Sequence, residues 1–154
     1  MIKFINANIY RNSEATEILV KDGIIQQMGT DLPSADEVID LKGRLVVPPY
    51  VDSHLHLDYV YTGGGADAKN ASGTLFEGIA RWHDVKKNQS FADAKQRMLK
   101  GIQEEVSKGV QYIRTHIDVC DPALTGLKAM LELREELKDN VTIQIVAFPQ
   151  EGMY

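Results

Sequence analysis

Hydrophobic and polar positions alternate along the first 47 residues with the period of two that marks β-strands. "KFINANIY" and "TEILVKDGIIQQMG" carry the pattern, and Asp22-Gly23 between apolar flanks predicts a hairpin turn. "EVIDLKGRLVV" predicts a second hairpin, turning at Lys42-Gly43, so that a small antiparallel unit is expected. After Pro48-Pro49 the period changes. "YVDSHLHL" reads as a strand, and a glycine run (Gly63, Gly64, Gly65) leads to a helix near residues 74–87 with Leu75, Ile79 and Trp82 on one face. Ser90 predicts the N-cap of a second helix, with Asp93 three residues on; Met98, Ile102 and Val106 line its apolar face and Gly109 closes it. "VQYIRTHIDVC" predicts a strand. Asp121-Pro122 reads as a cap and first-turn proline for the helix "ALTGLKAMLELREELK", and "VTIQIVAFPQEG" is the last strand.

Strands alternating with helices predict α/β architecture, with a first region over residues 1–47 and three βα units of a parallel sheet over residues 48–154. Strand parity then separates two faces. Asp52, His54, His56 and Asp58 share one face of the first βα strand, and Val51, Leu55 and Leu57 the other. Arg114, His116 and Asp118 oppose Ile113, Ile117 and Val119, while Gln144, Val146, Phe148 and Gln150 oppose Val141, Ile143, Ile145 and Ala147. Parallel strands covered on both faces are apolar almost throughout. Here one face carries histidines, acids, an arginine and glutamines, which are costly to bury unless paired or bound. A TIM barrel accounts for this better than an open doubly wound sheet, because active-site groups collect at its C-terminal mouth and no G-x-G-x-x-G follows the first strand.

Composition removes several classes of function. The formal charge is −5, without a Lys/Arg run, which argues against nucleic acid or an anionic membrane as partner. No apolar stretch approaches the ~20 residues of a membrane span, and the N-terminus lacks a signal-peptide core, so a cytoplasmic protein is expected. One cysteine, Cys120, rules out an internal disulfide and a cysteine-based zinc site, and reads as a small core residue.

The pair His54 and His56 carries the chemistry. Imidazoles at i and i+2 on one strand point the same way, and their neutral nitrogens suit Zn²⁺ or Fe²⁺. Asp58 is next on that face. Two ligands do not hold a catalytic metal, and the missing ones are expected outside this chain. His116, at the mouth end of the second strand, reads either as a contact to metal or substrate or as a hydrogen-bonding partner of Asp118 or Arg114. His83, beside Trp82, reads as surface or packing.

Five stretches in register, "VVPPYVDSHLHLD", "SGTLFEGIARW", "YIRTHIDVCD", "GLKAMLELREEL" and "IQIVAFPQEG", resemble the bacterial cytosine deaminases of the metal-dependent amidohydrolase superfamily. The resemblance implies a (β/α)8 barrel flanked by a β-sandwich, of which residues 1–47 would be the first part. It also implies one divalent metal ion, zinc or iron, at the barrel mouth. His54 and His56 match the first two metal ligands, Gln150 matches a glutamine bonded to the pyrimidine edge, and Leu75 matches a pocket leucine. Asp58, His116 and Asp118 are candidates for the surrounding shell. The chemistry implied is metal-assisted attack of water on the ring, with a glutamate shuttling the proton. That glutamate, an aspartate and two further histidines match nothing before residue 154, so no catalytic acid or base is assigned in this chain. "DYVYTGGGADAKNA" departs from the family's loop at this point.

Residues 48–154 number 107, against roughly 250 for a whole barrel. The chain is therefore expected to be the N-terminal part of a longer enzyme whose partners are the remaining barrel segment and a small nucleobase substrate, the full enzyme forming a homo-oligomer. The expected activity is hydrolytic deamination of cytosine to uracil and ammonia, or of a close pyrimidine or triazine analogue. Two other readings stand beside it: a cyclic-amide hydrolase of the hydantoinase or dihydroorotase type, and a non-catalytic truncated domain that binds a partner chain.

Overall fold

The computed structural model describes residues 1–64 and 69–152, so Gly65 of the glycine run lies outside the described residues. The chain divides into two compact units, Met1–Pro48 and Pro49–Tyr154.

The first unit holds β1 (Ile2–Ile5), β2 (Asn8–Ile9), β3 (Glu17–Lys21), β4 (Ile24–Gly29), β5 (Glu37–Asp40) and β6 (Leu45–Val46). β3 and β4 form the expected hairpin, and Asp22 and Gly23 both have positive φ, as its tight turn demands. The second expected hairpin does not form. Lys42 and Gly43 do turn, with φ of 52° and 76°, but β5 pairs in parallel with β1 and β6 in parallel with β2. The reason is a matched bend: Asn6 has φ of 53°, and its carbonyl accepts from the N–H of Gly43 at 2.8 Å. The Asn6 side chain also donates to Asp40, so residues 2–9 and 37–46 run side by side through the same corner. The unit is mixed rather than antiparallel, with a four-stranded sheet in the order β4-β3-β1-β5 and a two-stranded one, β2-β6.

The second unit comprises β7 (Tyr50–Leu55), α1 (Leu75–Asn88), α2 (Phe91–Ser107), β8 (Val110–Asp118), α3 (Thr125–Glu136) and β9 (Thr142–Phe148). Its sheet is parallel, in the order β7-β8-β9. Thr74 and Ser90 cap α1 and α2, each accepting a backbone N–H three residues on, and Gly109 follows α2 with φ of 91°. Two expectations at helix starts need correction. Leu75 is not on the buried face of α1 but 73% exposed, because it opens the first turn beyond the packed stripe. Asp121 does not cap α3 directly. Its carboxylate accepts from the N–H groups of Ala123 and Thr125 and closes a separate turn, after which Leu124, at φ of 51°, leads into the helix. The core of this unit lies between helices and sheet, where Leu57, Met98, Ile102, Ile113, Ile117, Met130 and Leu133 are fully or nearly fully buried.

One irregularity in the sheet sets the site. On β8, Ile113 and Thr115 are two residues apart, but their partners on β7, Asp52 and Leu55, are three apart. β7 thus carries a β-bulge, and the extra residue inverts the alternation read from the sequence. Val51 does not share the face of Leu55 and Leu57: it pairs with Tyr112 and both are exposed, while Leu55 packs on the core. Asp52 likewise does not continue the face of His54 and His56. Its carboxylate instead accepts the His54 N–H at 3.0 Å inside the bulge.

Candidate metal centre

The bulge delivers His54 and His56 on either side of Leu55, where β7 ends, and β8 delivers His116 beside them. Each of the three imidazoles offers a nitrogen, and these nitrogens lie within 4.8 Å of one another, the scale of a single metal centre. The rings of His54 and His116 are stacked at 4.2 Å between centroids, and His56 lies 5.3 and 5.4 Å from them. The ends of the strands are held together by a buried bond from the Leu57 N–H to the Thr115 hydroxyl.

Two observations test whether these residues fit an ion. Among the described residues, the buried Nδ1 atoms of His56 and His116 have no hydrogen-bonding partner. Burial, reinforced by the neighbouring His116 and His54, holds the His56 pKa below its ordinary value and keeps its ring in the neutral form that ligates metal. The two alternative partners foreseen for His116 are engaged elsewhere, since Arg114 donates to Gln144 and Asp118 turns to α1. The cluster could hold a metal.

Around the imidazoles stands an aromatic and amide wall. Phe148 presents its ring edge-on to His56 and His116. Tyr59 stacks on His56 at 5.0 Å and leans on Trp82 at 4.5 Å. The Tyr59 hydroxyl donates to Oε1 of Gln150 at 2.5 Å, which ties that glutamine to the histidine pocket. Leu75, by contrast, is exposed at the start of α1.

The two flanking aspartates differ. Asp58 is not on the histidine face, because the strand has ended. It is buried and accepts the N–H of Asp118 through one carboxylate oxygen, while the other has no partner among the described residues. Burial pushes its pKa up to about 7, against the opposing pull of that backbone bond. Asp118 accepts from the Trp82 indole at 2.8 Å, the Lys86 ammonium at 2.9 Å and the Cys120 N–H. Burial alone would raise its pKa, but these donors outweigh it and hold the carboxyl below the usual range.

Lys86 and Glu151 are the residues that sequence reasoning passed over. The Lys86 side chain is 4% exposed and bridges Asp118 to Glu151, the latter at 2.5 Å; Glu151 also meets Nδ1 of His83 at 2.6 Å. This clamp fastens α1 to the ends of β8 and β9. Its signal was present, since Lys86 lies four residues after Trp82 on the apolar stripe of α1. Cys120, expected in the core, is only partly buried, and its sulfur accepts the Glu151 N–H.

Comparison with known proteins settles the family. A family model described as "Amidohydrolase family" matches residues 37–154. The chain belongs to the amidohydrolase family. The family is metal-dependent, in keeping with the histidine cluster. The structure of 5-methylcytosine deaminase from Klebsiella pneumoniae liganded with 5-fluorocytosine superposes with a TM-score of 0.85 at 45% identity, covering 97% of this amidohydrolase chain and 37% of that one. N-isopropylammelide isopropylaminohydrolase from Burkholderia multivorans superposes at 0.83 with 30% identity, covering 99% and 38%. N-isopropylammelide isopropyl amidohydrolase of Pseudomonas sp. (strain ADP) is 34% identical over 140 residues, 88% of this chain and 35% of its own length. The amidohydrolase chain thus spans a little over a third of the length of these relatives. The resemblance to cytosine deaminases and the α/β fold expected from the sequence are borne out, the chain matching the N-terminal part of TIM-barrel amidohydrolases. The homologues are hydrolases and deaminases acting on C–N bonds. No described helix is long and apolar enough to cross a membrane.

Proposed function

We propose that this chain supplies the first metal ligands and part of the substrate pocket of a cytoplasmic aminohydrolase that converts cytosine, or a close pyrimidine or triazine analogue, to its oxo product and ammonia. The observation that carries the reading is the convergence of His54, His56 and His116 beside a glutamine, Gln150, that Tyr59 ties to the same pocket. A divalent ion held by these imidazoles, zinc or iron, supplies Lewis-acid activation of water at neutral pH. The chain's own residues do the rest of what it contributes. The bulge in β7 aims the two histidines, burial keeps His56 neutral, and the planar walls of Tyr59 and Phe148 suit a flat ring. The remaining barrel strands, in this reading, bring the proton-shuttling glutamate and complete the ligand set. Relatives named for 5-methylcytosine and for N-isopropylammelide support an amino-substituted nitrogen heterocycle as substrate.

The test is direct. Full-length protein loaded with zinc or iron is assayed for ammonia from cytosine and 5-methylcytosine and for isopropylamine from N-isopropylammelide, with metal content measured on the same sample. Deaminated product and one ion per site are expected. A ring-opened product would move the protein to the cyclic-amide hydrolases, and absence of bound metal would leave the non-catalytic reading.

A further inference from the structure

We propose that Tyr59 is a positioning residue for Gln150. Its hydroxyl fixes the carboxamide so that the amide N–H groups, and not the carbonyl, face a ring bound beside the histidines. The proposal rests on the pocket reading above, in which Gln150 meets substrate.

Tyr59 is placed by contacts on every side except its hydroxyl. One face of its ring stacks on His56 with planes 23° apart, and the ring leans on Trp82. Its N–H donates to the carbonyl of His56, and its carbonyl accepts from the Thr62 hydroxyl at 2.7 Å. Arg97, from α2, donates through Nη1 to the carbonyls of Asp58 and Val60, the residues on either side, and its guanidinium is steadied by Asp93 and Gln89. A side chain so constrained brings its hydroxyl to one point in space, and at that point stands Oε1 of Gln150, 91 residues away in sequence.

A carboxamide has one acceptor end and one donor end. With Oε1 engaged by the phenol, the end left for a ligand is the NH₂ group. It bonds a carbonyl oxygen or an unprotonated ring nitrogen, and it repels a ring edge that presents its own N–H. The pocket therefore selects flat heterocycles that turn an acceptor edge toward Gln150. Without the phenol hydroxyl the amide is free to rotate, and a ligand must then supply the ordering.

The experiment uses full-length, metal-loaded protein and, as probe, whichever of cytosine and 5-methylcytosine is turned over faster. Tyr59→Phe keeps both ring contacts and removes only the hydroxyl. It is expected to raise KM about five- to tenfold, with kcat within about twofold and metal content unchanged. In a Gln150→Ala background, already raised in KM, the same change is expected to add nothing. An unchanged KM in Tyr59→Phe, set against a raised one in Gln150→Ala, overturns the proposal and leaves the pocket reading intact. So do effects that multiply independently in the double variant, or a loss of metal in Tyr59→Phe. An unchanged KM in Gln150→Ala overturns the pocket reading and this proposal together.

Discussion

In residues Met1–Pro48 charged groups pair near the surface. The N-terminus meets Asp36, Lys3 meets Glu17, and the apolar interior is small, built on Ile18, Leu19 and Leu32 with two alanines. In Pro49–Tyr154 the arrangement at the strand ends is reversed: Asp58, Thr115, Asp118 and Lys86 are buried, and unpartnered imidazole nitrogens lie among them. A polar group taken out of water costs free energy unless something replaces the water. In the first unit that cost is met by pairing, as between the largely covered Lys3 and Glu17. In the second it is met by a lysine clamp on one side and, at the histidines, by nothing among the described residues. The contrast teaches where chemistry resides. The region that keeps expensive unpaired groups is the one in which the proposed ligand site lies.

The contrast can be broken first at the histidines. His54→Ala, His56→Ala or His116→Ala in the full-length protein is expected to lower metal affinity and turnover together by more than about a hundredfold, checked by metal analysis and ammonia release. Full metal occupancy in any of these variants would remove that residue from the ligand set. The next effect is on the clamp. Lys86→Ala leaves Asp118 buried and partly unpaired, and a loss of about 3–5 kcal/mol in denaturant unfolding is expected, far more than Lys3→Ala produces in the first unit.

The pH dependence of that loss has a defined sign. The carboxyls of Asp118 and Glu151 are held low, the second chiefly by the Lys86 ammonium and then by His83, so their contribution is present above the unfolded range near 4 and disappears as pH falls through the folded values. Lys86 is held high by Glu151 and Asp118 although burial opposes it, so its contribution is complete below about 10 and is lost as pH rises further. The difference between wild type and Lys86→Ala is therefore expected to be largest between neutral pH and about pH 10, and to shrink both as Asp118 and Glu151 take up protons at falling pH and as Lys86 loses its proton above that range. The smallest effect lies in the first unit. Gly23→Ala meets no atom but demands a positive φ from a residue with a Cβ, and should cost about 1 kcal/mol without touching metal or activity.

What could be read from the sequence was local. The Asp22-Gly23 turn, the Ser90 cap and the closing Gly109 each depend on one or two residues and their own backbone, and each stands where its pattern indicates. What could not be read was relational. Lys42-Gly43 turns as its residues dictate, but which strands its arms meet depends on Asn6, 36 residues earlier, bending in step. The face shared by Asp52 and His54 followed from strict alternation, which the bulge opposite Ile113 and Thr115 breaks. His116 had metal, substrate, Asp118 and Arg114 as possible partners, because what Arg114 and Asp118 bond instead, Gln144 across the sheet and Trp82 and Lys86 on α1, is fixed only by tertiary packing. The histidine pair itself was legible, because a spacing of two across the end of a strand needs no distant information.

The ring contacts from the histidines outward end at Trp82, the chain's single tryptophan. Its indole lies two aromatic steps from the imidazoles, through Tyr59 and His56, with its N–H anchored on Asp118. An ion held at the imidazoles would thus lie within reach of a built-in optical gauge. An open-shell ion such as ferrous iron or cobalt at the imidazoles should dim the indole emission, while closed-shell zinc should leave it bright. Titrating one ion against the other would then count occupied sites by light alone, with no label attached and no substrate turned over.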